Sequence, residues 1–439
     1  MKRTTIFATL TALLPLTAHA APYCEALLDA DKLEKRYQRL APIHSDATSG
    51  WIFTSDQLKT DYEMPQHRLD LMQAVVSSFL DQGIDLAIMV APPRPVIAGQ
   101  QVVDATLGSN GAFDVAEAEA SFEALLAQLR QTGATVPNLL DIAQQPGAHP
   151  FYFRGDTHWT NAGAGQSALA LATELGHDAA FQLSEVAPAG TFEERGSLND
   201  IVAATCGQKP QPEAAQQFDY TSVSARDAAD LLAPSAATPT TLLLGTSFSN
   251  RYKRDQYQAA DALASALKTD LMNHSVSGGG SIGPLEALAL SGALADTPPK
   301  LIIWEFPYTN IPNTSALRQI LGALQAHHSH APAGSDFSLK GDRVSMPLPQ
   351  ADPNATLLRV RLDSPKARWL KVDLAFAKGK TKTVQLRRKK VMGAAGEHAD
   401  WWVDIRDLGP MAPTSLRLRV DPKAKASGGQ LSLASAPQL

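Results

Sequence analysis

Residues 241–249 read TLLLGTSFS, a short apolar run that stops at Gly245 and continues into hydroxyl-bearing residues. An uninterrupted apolar run of this length is typical of a strand that is buried on both faces, as in a parallel sheet. The runs at 86–90 (LAIMV) and 301–306 (LIIWEF) have the same character, and proline follows each of them within two residues. We also predict a strand at 138–142 (NLLDI).

Helix-like segments lie between these strands. Residues 66–80, 115–129 and 161–175 have apolar side chains at helical spacing. Strands that alternate with helices predict an α/β fold, in which helices flank both faces of a parallel sheet. This pattern extends over residues 21–326, and no internal repeat is visible in it.

The chain changes character after residue 326. Residues 327–336 (HHSHAPAGSD) form a polar break with Pro and Gly, which we take as a linker. Its histidines permit a metal site, but a polar linker is the commoner explanation. Short, mostly alternating runs follow at 357–362, 369–376, 383–387, 400–405 and 415–420. Short strands at this spacing predict a small all-β sandwich over residues 337–439.

The first twenty residues have the build of a secretory signal peptide. Lys2 and Arg3 precede an apolar run at 6–16, and Ala18-His19-Ala20 forms a cleavage site. A membrane anchor is the alternative, but the run is too short to cross roughly 30 Å of hydrocarbon. We therefore expect cleavage near Ala20 and export of the mature chain from the cytoplasm.

The two cysteines are Cys24 and Cys206. In an oxidising compartment we expect them to form a disulfide that ties the N-terminus to the body of the first domain. Two unrelated buried thiols are the alternative.

The net charge of −5 conceals an asymmetry. Residues 331–439 contain 19 Lys and Arg against 10 Asp and Glu, so they carry +9 and the rest of the chain carries −14. A basic module on an acidic body favours an anionic partner. Outside the cytoplasm an acidic polysaccharide fits better than nucleic acid, and a solvated basic surface without a ligand is the alternative.

Ser247 stands where a nucleophile is expected in an α/β sheet. It follows the strand at 241–244, and open α/β sheets build their sites at the carboxyl ends of strands. Gly245 permits a sharp turn there, after which backbone N–H groups can face an oxyanion. An ordinary strand-to-loop turn is the alternative.

The segment 154–161 (RGDTHWTN) supplies a candidate base. A serine hydroxyl needs a base to remove its proton, and the base needs a third group to orient it. Asp156 and His158 are close enough in sequence for the carboxylate to hold the imidazole in one tautomer. The alternatives are a helix N-cap at Asp156 and a structural His158. No third ligand stands nearby at metal spacing, so we expect neither a metal nor a cofactor.

GDTHWT at 155–160 followed by GTSFS at 245–249 resembles the alginate O-acetyltransferase family, AlgJ and AlgX, whose members have an SGNH-hydrolase-like domain. The resemblance covers roughly residues 45–310, and Asp156 and His158 precede Ser247, as in the permuted order of this family. Supporting matches lie at 50–53 (GWIF), 278–280 (GGG), 283–285 (GPL) and 304–307 (WEFP). The β-rich tail and the absence of an anchor favour the AlgX type, which has a carbohydrate-binding module and a disulfide like that expected here.

The resemblance implies a periplasmic O-acetyltransferase that acts on an acidic exopolysaccharide such as alginate. His158 would remove the proton of Ser247, which attacks an acetyl donor delivered by membrane acetylation machinery, and a sugar hydroxyl would then take the acetyl group from the serine. Secretion-complex proteins are further expected partners, and nucleic acid is not. The oxyanion donors remain open between the backbone N–H groups of Ser247 or Phe248 and that of Gly279. A polysaccharide acetylesterase with the same triad and a non-catalytic polymer-binding scaffold are the alternatives.

Other residues are candidates for contacts with the substrate. Tyr252 and Tyr308 lie near strand ends, with packing as the alternative, and Arg94 follows a strand and could meet a uronate carboxylate, with a surface arginine as the alternative. Candidate polymer-binding residues in the tail are Arg359, Arg361, Lys371, Arg387, Arg388, Trp369 and Trp401. Two of the tail tryptophans at 369, 401 and 402 are expected in the sandwich core, because a sandwich needs large fillers.

Overall fold

The computed structural model describes residues 21–145, 149–177, 181–223, 240–326, 334–348, 355–376, 379–409 and 413–435. The signal peptide predicted at 1–20 and the linker histidines lie outside the described residues. No helix in the described part of the chain is long and apolar enough to cross a bilayer.

The first body of the chain alternates strands and helices as predicted. The helices are α1 (Gln66–Leu80), α2 (Arg94–Ala98), α3 (Gln100–Leu107), α4 (Val115–Gln131), α5 (Leu139–Ala143), α6 (Asn161–Glu174), α7 (Ser197–Cys206), α8 (Ala259–Ala266), α9 (Gly283–Ser291), α10 (Ala293–Asp296) and α11 (Thr314–Gln325). The strands are β1 (Ile43–Ser45), β2 (Ile52–Thr54), β3 (Asp85–Ala91), β4 (Ala187–Glu194), β5 (Glu213–Asp219), β6 (Thr241–Leu244), β7 (Leu271–Asn273) and β8 (Leu301–Pro307).

A four-stranded parallel sheet forms the centre of this body, in the order β3-β8-β6-β7. Its side chains alternate between two buried layers. Leu86, Ile88 and Val90 of β3 pack with the layer of α1, α4 and α11, whereas Ala87 and Met89 pack with that of α6 and α8. Burial on both faces explains the unbroken apolar runs, and the predicted α/β fold is confirmed.

The strand predicted at 138–142 is wrong, because the segment forms α5. Asn138 caps this helix by accepting the N–H of Leu140 at 3.2 Å. Just before this helix, Thr135 forms an isolated parallel bridge with Ala87 of β3. A five-residue segment with three apolar residues fits a buried strand and a short buried helix equally well, so periodicity alone could not separate the two.

The C-terminal body is a sandwich of two antiparallel sheets, as predicted. Its strands are β9 (Ser335–Ser338), β10 (Arg343–Pro347), β11 (Leu357–Leu362), β12 (Trp369–Ala375), β13 (Thr381–Arg387), β14 (Asp400–Asp404), β15 (Ser415–Val420) and β16 (Gly428–Ala434). One sheet has the order β10-β15-β12-β13 and the other β14-β11-β16-β9. A single apolar core fills the space between them. Because β9 begins at Ser335, the sandwich starts within the stretch that we predicted as linker.

Short 3₁₀ turns complete the described chain. They are Glu25–Leu28, Ala30–Lys32, Gln38–Leu40, Gly108–Asn110, Leu183–Glu185, Tyr220–Val223, Arg251–Lys253, Tyr308–Asn310, Lys390–Gly396 and Pro422–Ala424. The predicted disulfide between Cys24 and Cys206 is present and joins the residue before the first of these turns to the last residue of α7.

Candidate active site

The structure brings Ser247, His158 and Asp156 together at the carboxyl edge of the parallel sheet. Ser247 follows β6, and the other two residues lie in the loop that enters α6. His158 Nε2 is 2.7 Å from Ser247 Oγ, and His158 Nδ1 is hydrogen-bonded to Asp156 Oδ1. With the proton on Nδ1, the imidazole can accept the proton of the serine hydroxyl, which is the arrangement that an activated serine requires.

The Asp156 carboxylate is fully buried, and its surroundings stabilise its charge. Besides His158, it accepts the backbone N–H of Ser197 at 2.5 Å and an Arg251 N–H at 3.1 Å. Burial alone would raise the pKa of Asp156, but the charge and hydrogen bond of His158 and the charge of Arg251 hold that pKa below its ordinary value. Asp156 is therefore ionised at neutral pH and can balance an imidazolium at His158.

Arg251 connects the triad to a second buried carboxylate that the sequence analysis missed. Its guanidinium is 3.7 Å from Glu194 Oε1, which also accepts the Tyr252 hydroxyl at 2.9 Å. The other oxygen of Glu194 accepts the Tyr257 hydroxyl at 2.9 Å. This network fixes the Arg251 side chain against Asp156.

The motif containing the base and the motif containing the nucleophile are also joined through aromatic side chains. Trp159 donates its indole N–H to the Phe248 carbonyl at 2.9 Å, and the His158 ring lies 4.8 Å from the Phe248 ring. Thr160 then starts α6 by accepting the N–H of Gly163 at 3.0 Å. Trp159, directly after the candidate base, is thus fixed against the residue that follows the nucleophile.

The turn that contains Ser247, residues 245–249, rests on the buried side chain of Glu305 in β8. The Glu305 carboxylate accepts the N–H of Thr246 at 2.8 Å, the Thr246 hydroxyl at 2.9 Å and the Ser249 hydroxyl at 3.0 Å. Burial raises the pKa of Glu305 to about 7, and these hydrogen bonds limit the rise.

The candidate oxyanion donors differ in availability. None of the hydrogen bonds between described residues uses the N–H of Ser247. Phe248 N–H makes only a long contact of 3.3 Å with the Thr246 hydroxyl. Gly279 N–H donates to the Val276 carbonyl at 2.8 Å, so this donor is already occupied and the Gly279 alternative is not supported in this conformation.

Two of the predicted substrate contacts are wrong. Arg94 is 0% exposed, and its guanidinium donates to the Ile52, Phe153 and Arg154 carbonyls, so it is neither a substrate ligand nor a surface arginine. Tyr308 is also buried in the core, where its hydroxyl faces the carbonyl of residue 57. Both residues follow strands, but their backbones turn these side chains inward.

Tyr252, in contrast, lies at the rim of the site, with 47% of its surface exposed. Its ring lies 4.4 Å from the Arg251 guanidinium, and its hydroxyl bonds to Glu194. Tyr252 also has a φ of 53°, a left-handed conformation that is uncommon for a residue with a side chain.

The candidate polymer-binding residues do not form one group. Arg388 and Trp401 are buried, with the guanidinium 3.9 Å from the ring, so neither can contact a polymer. Arg359 and Arg361 lie on β11 of one sheet, where Arg359 pairs with Asp400 at 2.6 Å. The remaining three, Trp369, Lys371 and Arg387, lie on β12 and β13 of the other sheet, where Trp369 and Arg387 are register partners.

Sequence reasoning also missed Arg251 and Glu305, and only one of them has a clear sequence signal. Glu305 interrupts an apolar strand, and a charged residue at such a position indicates a buried polar contact. Arg251 looks like an ordinary surface residue in the sequence. Within the described chain, no group of three or more His, Cys, Asp or Glu side chains could hold a metal ion.

Comparison with known proteins agrees with this architecture. Residues 46–308 match the family model described as "SGNH hydrolase-like domain, acetyltransferase AlgX". The alginate biosynthesis protein AlgX of Pseudomonas putida is 26% identical over 406 residues, which are 86% of this chain and 83% of that protein. The AlgX of Pseudomonas aeruginosa is 29% identical over 293 residues, or 65% of this chain and 60% of that protein.

A second group of relatives matches a smaller share of the chain. A Pseudomonas aeruginosa protein named "Probable alginate O-acetylase AlgJ" is 26% identical over 290 residues, which are 62% of this chain and 71% of that protein. Among solved structures, Pseudomonas aeruginosa AlgX superposes with a TM-score of 0.72 at 21% identity, covering 94% of this chain and 99% of that one. At that identity the superposition shows the shared fold of both bodies.

Proposed function

The chain belongs to the AlgX family of SGNH-hydrolase-like acetyltransferase domains, and from this we propose that it takes part in alginate acetylation as a periplasmic O-acetyltransferase with Ser247 as its nucleophile. The observation that carries the proposal is the 2.7 Å contact between His158 Nε2 and Ser247 Oγ, on an imidazole held by the buried Asp156. The names of the AlgX and AlgJ relatives supply the substrate class, an acidic polysaccharide.

The first half-reaction transfers acetyl to the enzyme. His158 Nε2 takes the proton of Ser247 as Oγ attacks the carbonyl carbon of an acetyl donor. The N–H of Ser247 is free to donate to the oxyanion that forms. The tetrahedral intermediate then collapses to acetyl-serine, and the imidazolium gives its proton to the departing oxygen of the donor. Asp156 keeps the other imidazole nitrogen protonated and balances the transient positive charge.

The second half-reaction transfers acetyl to the sugar. A hydroxyl of the polymer, which we expect to be a mannuronate hydroxyl, loses its proton to His158 and attacks the acetyl-serine. Ser247 leaves as the alcohol after it recovers the proton from His158. Water is the competing nucleophile, so transfer requires that the bound sugar exclude water from the acyl-enzyme.

We assign polymer binding to the sheet of the C-terminal sandwich that contains β12 and β13. Its face brings together Trp369, Lys371 and Arg387, and Arg419 pairs in register with Lys371. A half-buried indole beside cationic side chains suits a polymer of uronate sugars, because the ring can stack on a sugar and the cations attract its carboxylates.

To test the reaction, the protein is incubated with 4-nitrophenyl acetate in the presence and absence of polymannuronate oligomers. Acetylated oligomer is then measured by mass spectrometry. We expect acetylated sugar from the native chain and none from Ser247→Ala. Ser222→Ala, which changes an exposed serine outside the nucleophile turn, is the matched control and should behave as the native chain does. Acetate release without acetylated oligomer would favour an acetylesterase. Full activity of Ser247→Ala would remove the nucleophile assignment.

The test of polymer binding compares two double variants. Lys371→Ala with Arg387→Ala should weaken the binding of polymannuronate and reduce its dependence on salt, since both charges lie on the proposed face. Lys366→Ala with Lys423→Ala removes the same charge from exposed turns outside this sheet and should change neither. Equal losses in the two pairs would reduce the effect to net charge and contradict the assigned face.

A further inference from the structure

Glu305 occupies a position where a carboxylate is unexpected. Ile302, Trp304 and Phe306 of β8 face one buried layer of the central sheet, and Ile303 faces the other. The alternation of a strand places Glu305 on the same face as Ile303, and its side chain is fully buried. A buried carboxylate is costly unless hydrogen bonds compensate for the lost water.

The nucleophile turn provides that compensation. Within the described chain, the donors that Glu305 meets belong to Thr246, directly before Ser247, and to Ser249, two residues after it. None of the ion pairs between described residues includes Glu305. One carboxylate therefore joins both sides of the nucleophile to β8, an inner strand of the sheet.

The absence of a side chain at Gly245 makes room for the same contact. A Cβ at this position would lie 2.4 Å from Glu305 Oε2 and 3.0 Å from Glu305 Cβ, distances at which something must shift. The glycine that opens the GTSFS motif thus leaves room for a side chain that comes from another strand. The two motifs, at 245–249 and 304–307, form a single packing unit.

We propose that Glu305 is the positioning residue of the nucleophile turn and that it acts as the ionised carboxylate. As a carboxylate it accepts from the Thr246 N–H and from two hydroxyls at once. A neutral acid or an amide would direct a donor of its own at one of these donors, and the turn would move. The proposal rests on the proposed function, because it concerns the geometry of Ser247 as a nucleophile.

The surroundings of Glu305 allow it to be ionised at mildly alkaline pH. Burial raises its pKa to about 7. The pKa of Tyr152 is raised well above 10, mainly by burial and also by the charge of Glu305, so this phenol stays neutral. In the neighbouring strands, Asp85 begins β3 at the surface, β6 has no titratable residue, and His274 after β7 is exposed. As the pH rises through about 7, Glu305 therefore loses its proton and a negative charge appears beneath the turn.

The test measures kcat and KM for 4-nitrophenyl acetate in the full-length protein, with Ser247→Ala as the background, from about pH 5.5 to about pH 8.5. At about pH 8, Glu305→Gln should lower kcat by about 10- to 100-fold with KM within about twofold, because a shift of the nucleophile affects the reaction more than binding. The ratio of native to variant kcat should shrink towards one as the pH falls through about 7. Both proteins keep Asp156, His158 and Ser247, so the ratio isolates the effect of residue 305.

Asp404→Asn is the matched control, since it neutralises a buried carboxylate of the C-terminal sandwich that pairs with Arg318. It should lower thermal stability and leave kcat for the small ester unchanged. A kcat of Glu305→Gln within about twofold of the native value at about pH 8 would overturn the proposal. A ratio that stays constant with pH would also overturn it, because the loss would then come from shape and not from charge. If Ser247→Ala kept its activity, the proposed function would fail first, and the two failures are therefore distinguishable.

Discussion

Replacement of Arg388 should destabilise the whole chain, because this arginine joins the two bodies. Its guanidinium contacts Glu286 of α9 at 2.9 Å and donates to the carbonyls of His398 and Asp400 at 2.9 and 2.8 Å. It also covers the Trp401 ring at 3.9 Å, and both members of the ion pair are buried. Arg388→Ala would leave the Glu286 carboxylate in the interior with only a neutral amide donor.

The expected loss of unfolding free energy follows from the unpaired charge of Glu286. Removing one partner of a buried ion pair costs about 3–5 kcal/mol of unfolding free energy, whereas removing both charges with side chains of similar volume is often close to neutral. We therefore expect Arg388→Ala to lose about 3–5 kcal/mol, and Glu286→Gln with Arg388→Met to recover a large part of it. Arg387→Ala, which changes an exposed neighbour, should lie within about 0.5 kcal/mol of the native chain.

Urea denaturation followed by tryptophan fluorescence would measure these differences, and Trp401 under the guanidinium would report on the contact itself. A loss of unfolding free energy below about 1 kcal/mol for Arg388→Ala would refute the reasoning, since an uncompensated buried carboxylate destabilises a protein by more than that. Two separate unfolding transitions in the native chain would contradict a shared interface. The same interface includes Gly322, whose Cβ would lie 2.5 Å from the backbone of Trp402, so truncation after α11 would expose a fitted surface.

Three further outcomes are expected. Asp156→Asn should lower kcat by roughly 10³- to 10⁴-fold with little change in KM, because an amide favours the wrong imidazole tautomer, and esterase kinetics would show this. Glu305 has a folded-state pKa of about 7 against an ordinary 4.5, so the unfolded chain loses the proton first and stability falls as the pH rises between these values, by about 3 kcal/mol in all. Denaturation of the native chain and Glu305→Gln across this window should show a difference that changes with pH, and a constant difference would contradict the cause given for the shift. Cys24→Ser or Cys206→Ser should cost about 2–5 kcal/mol in denaturation under oxidising conditions, and reduction of the native chain should reproduce the loss.

The sequence predicted most of the fold, because the central strands and flanking helices carry strong periodic signals. It failed at 138–142, where five residues are too few to define a period, and it did not predict the two-stranded antiparallel sheet of β4 and β5. Strand β4 is mostly exposed, and β5 buries only Ala215 and Phe218, which are three residues apart, so no alternating hydrophobic pattern marks either strand. The sandwich was predicted from five of its strands, and β9, β10 and β16 were missed.

The candidate site was predictable where chemistry restricts the residue types. A serine after a buried strand and a nearby Asp–His pair have few other uses in combination, and the structure places them in contact. The supporting residues were not predictable, because Arg251 takes its role from a contact across 95 positions of sequence. The prediction that Arg94 contacts the substrate failed because a cation after a strand end is usually exposed. Here backbone carbonyls bind its guanidinium in the interior.

Helix α7 connects the disulfide to the chemistry at Ser247. Its last residue is Cys206, bonded to Cys24, and the N–H of its first residue, Ser197, donates to Asp156 Oδ2. Apolar side chains of α7 pack with the segment around Cys24 in a small core of their own. The other oxygen of Asp156 orients His158. A displacement of α7 would therefore move Asp156 and, with it, the imidazole of His158. Loss of the disulfide should therefore reduce kcat as well as stability, and a variant that loses stability while its kcat below the unfolding temperature is unchanged would show that α7 holds Asp156 without it.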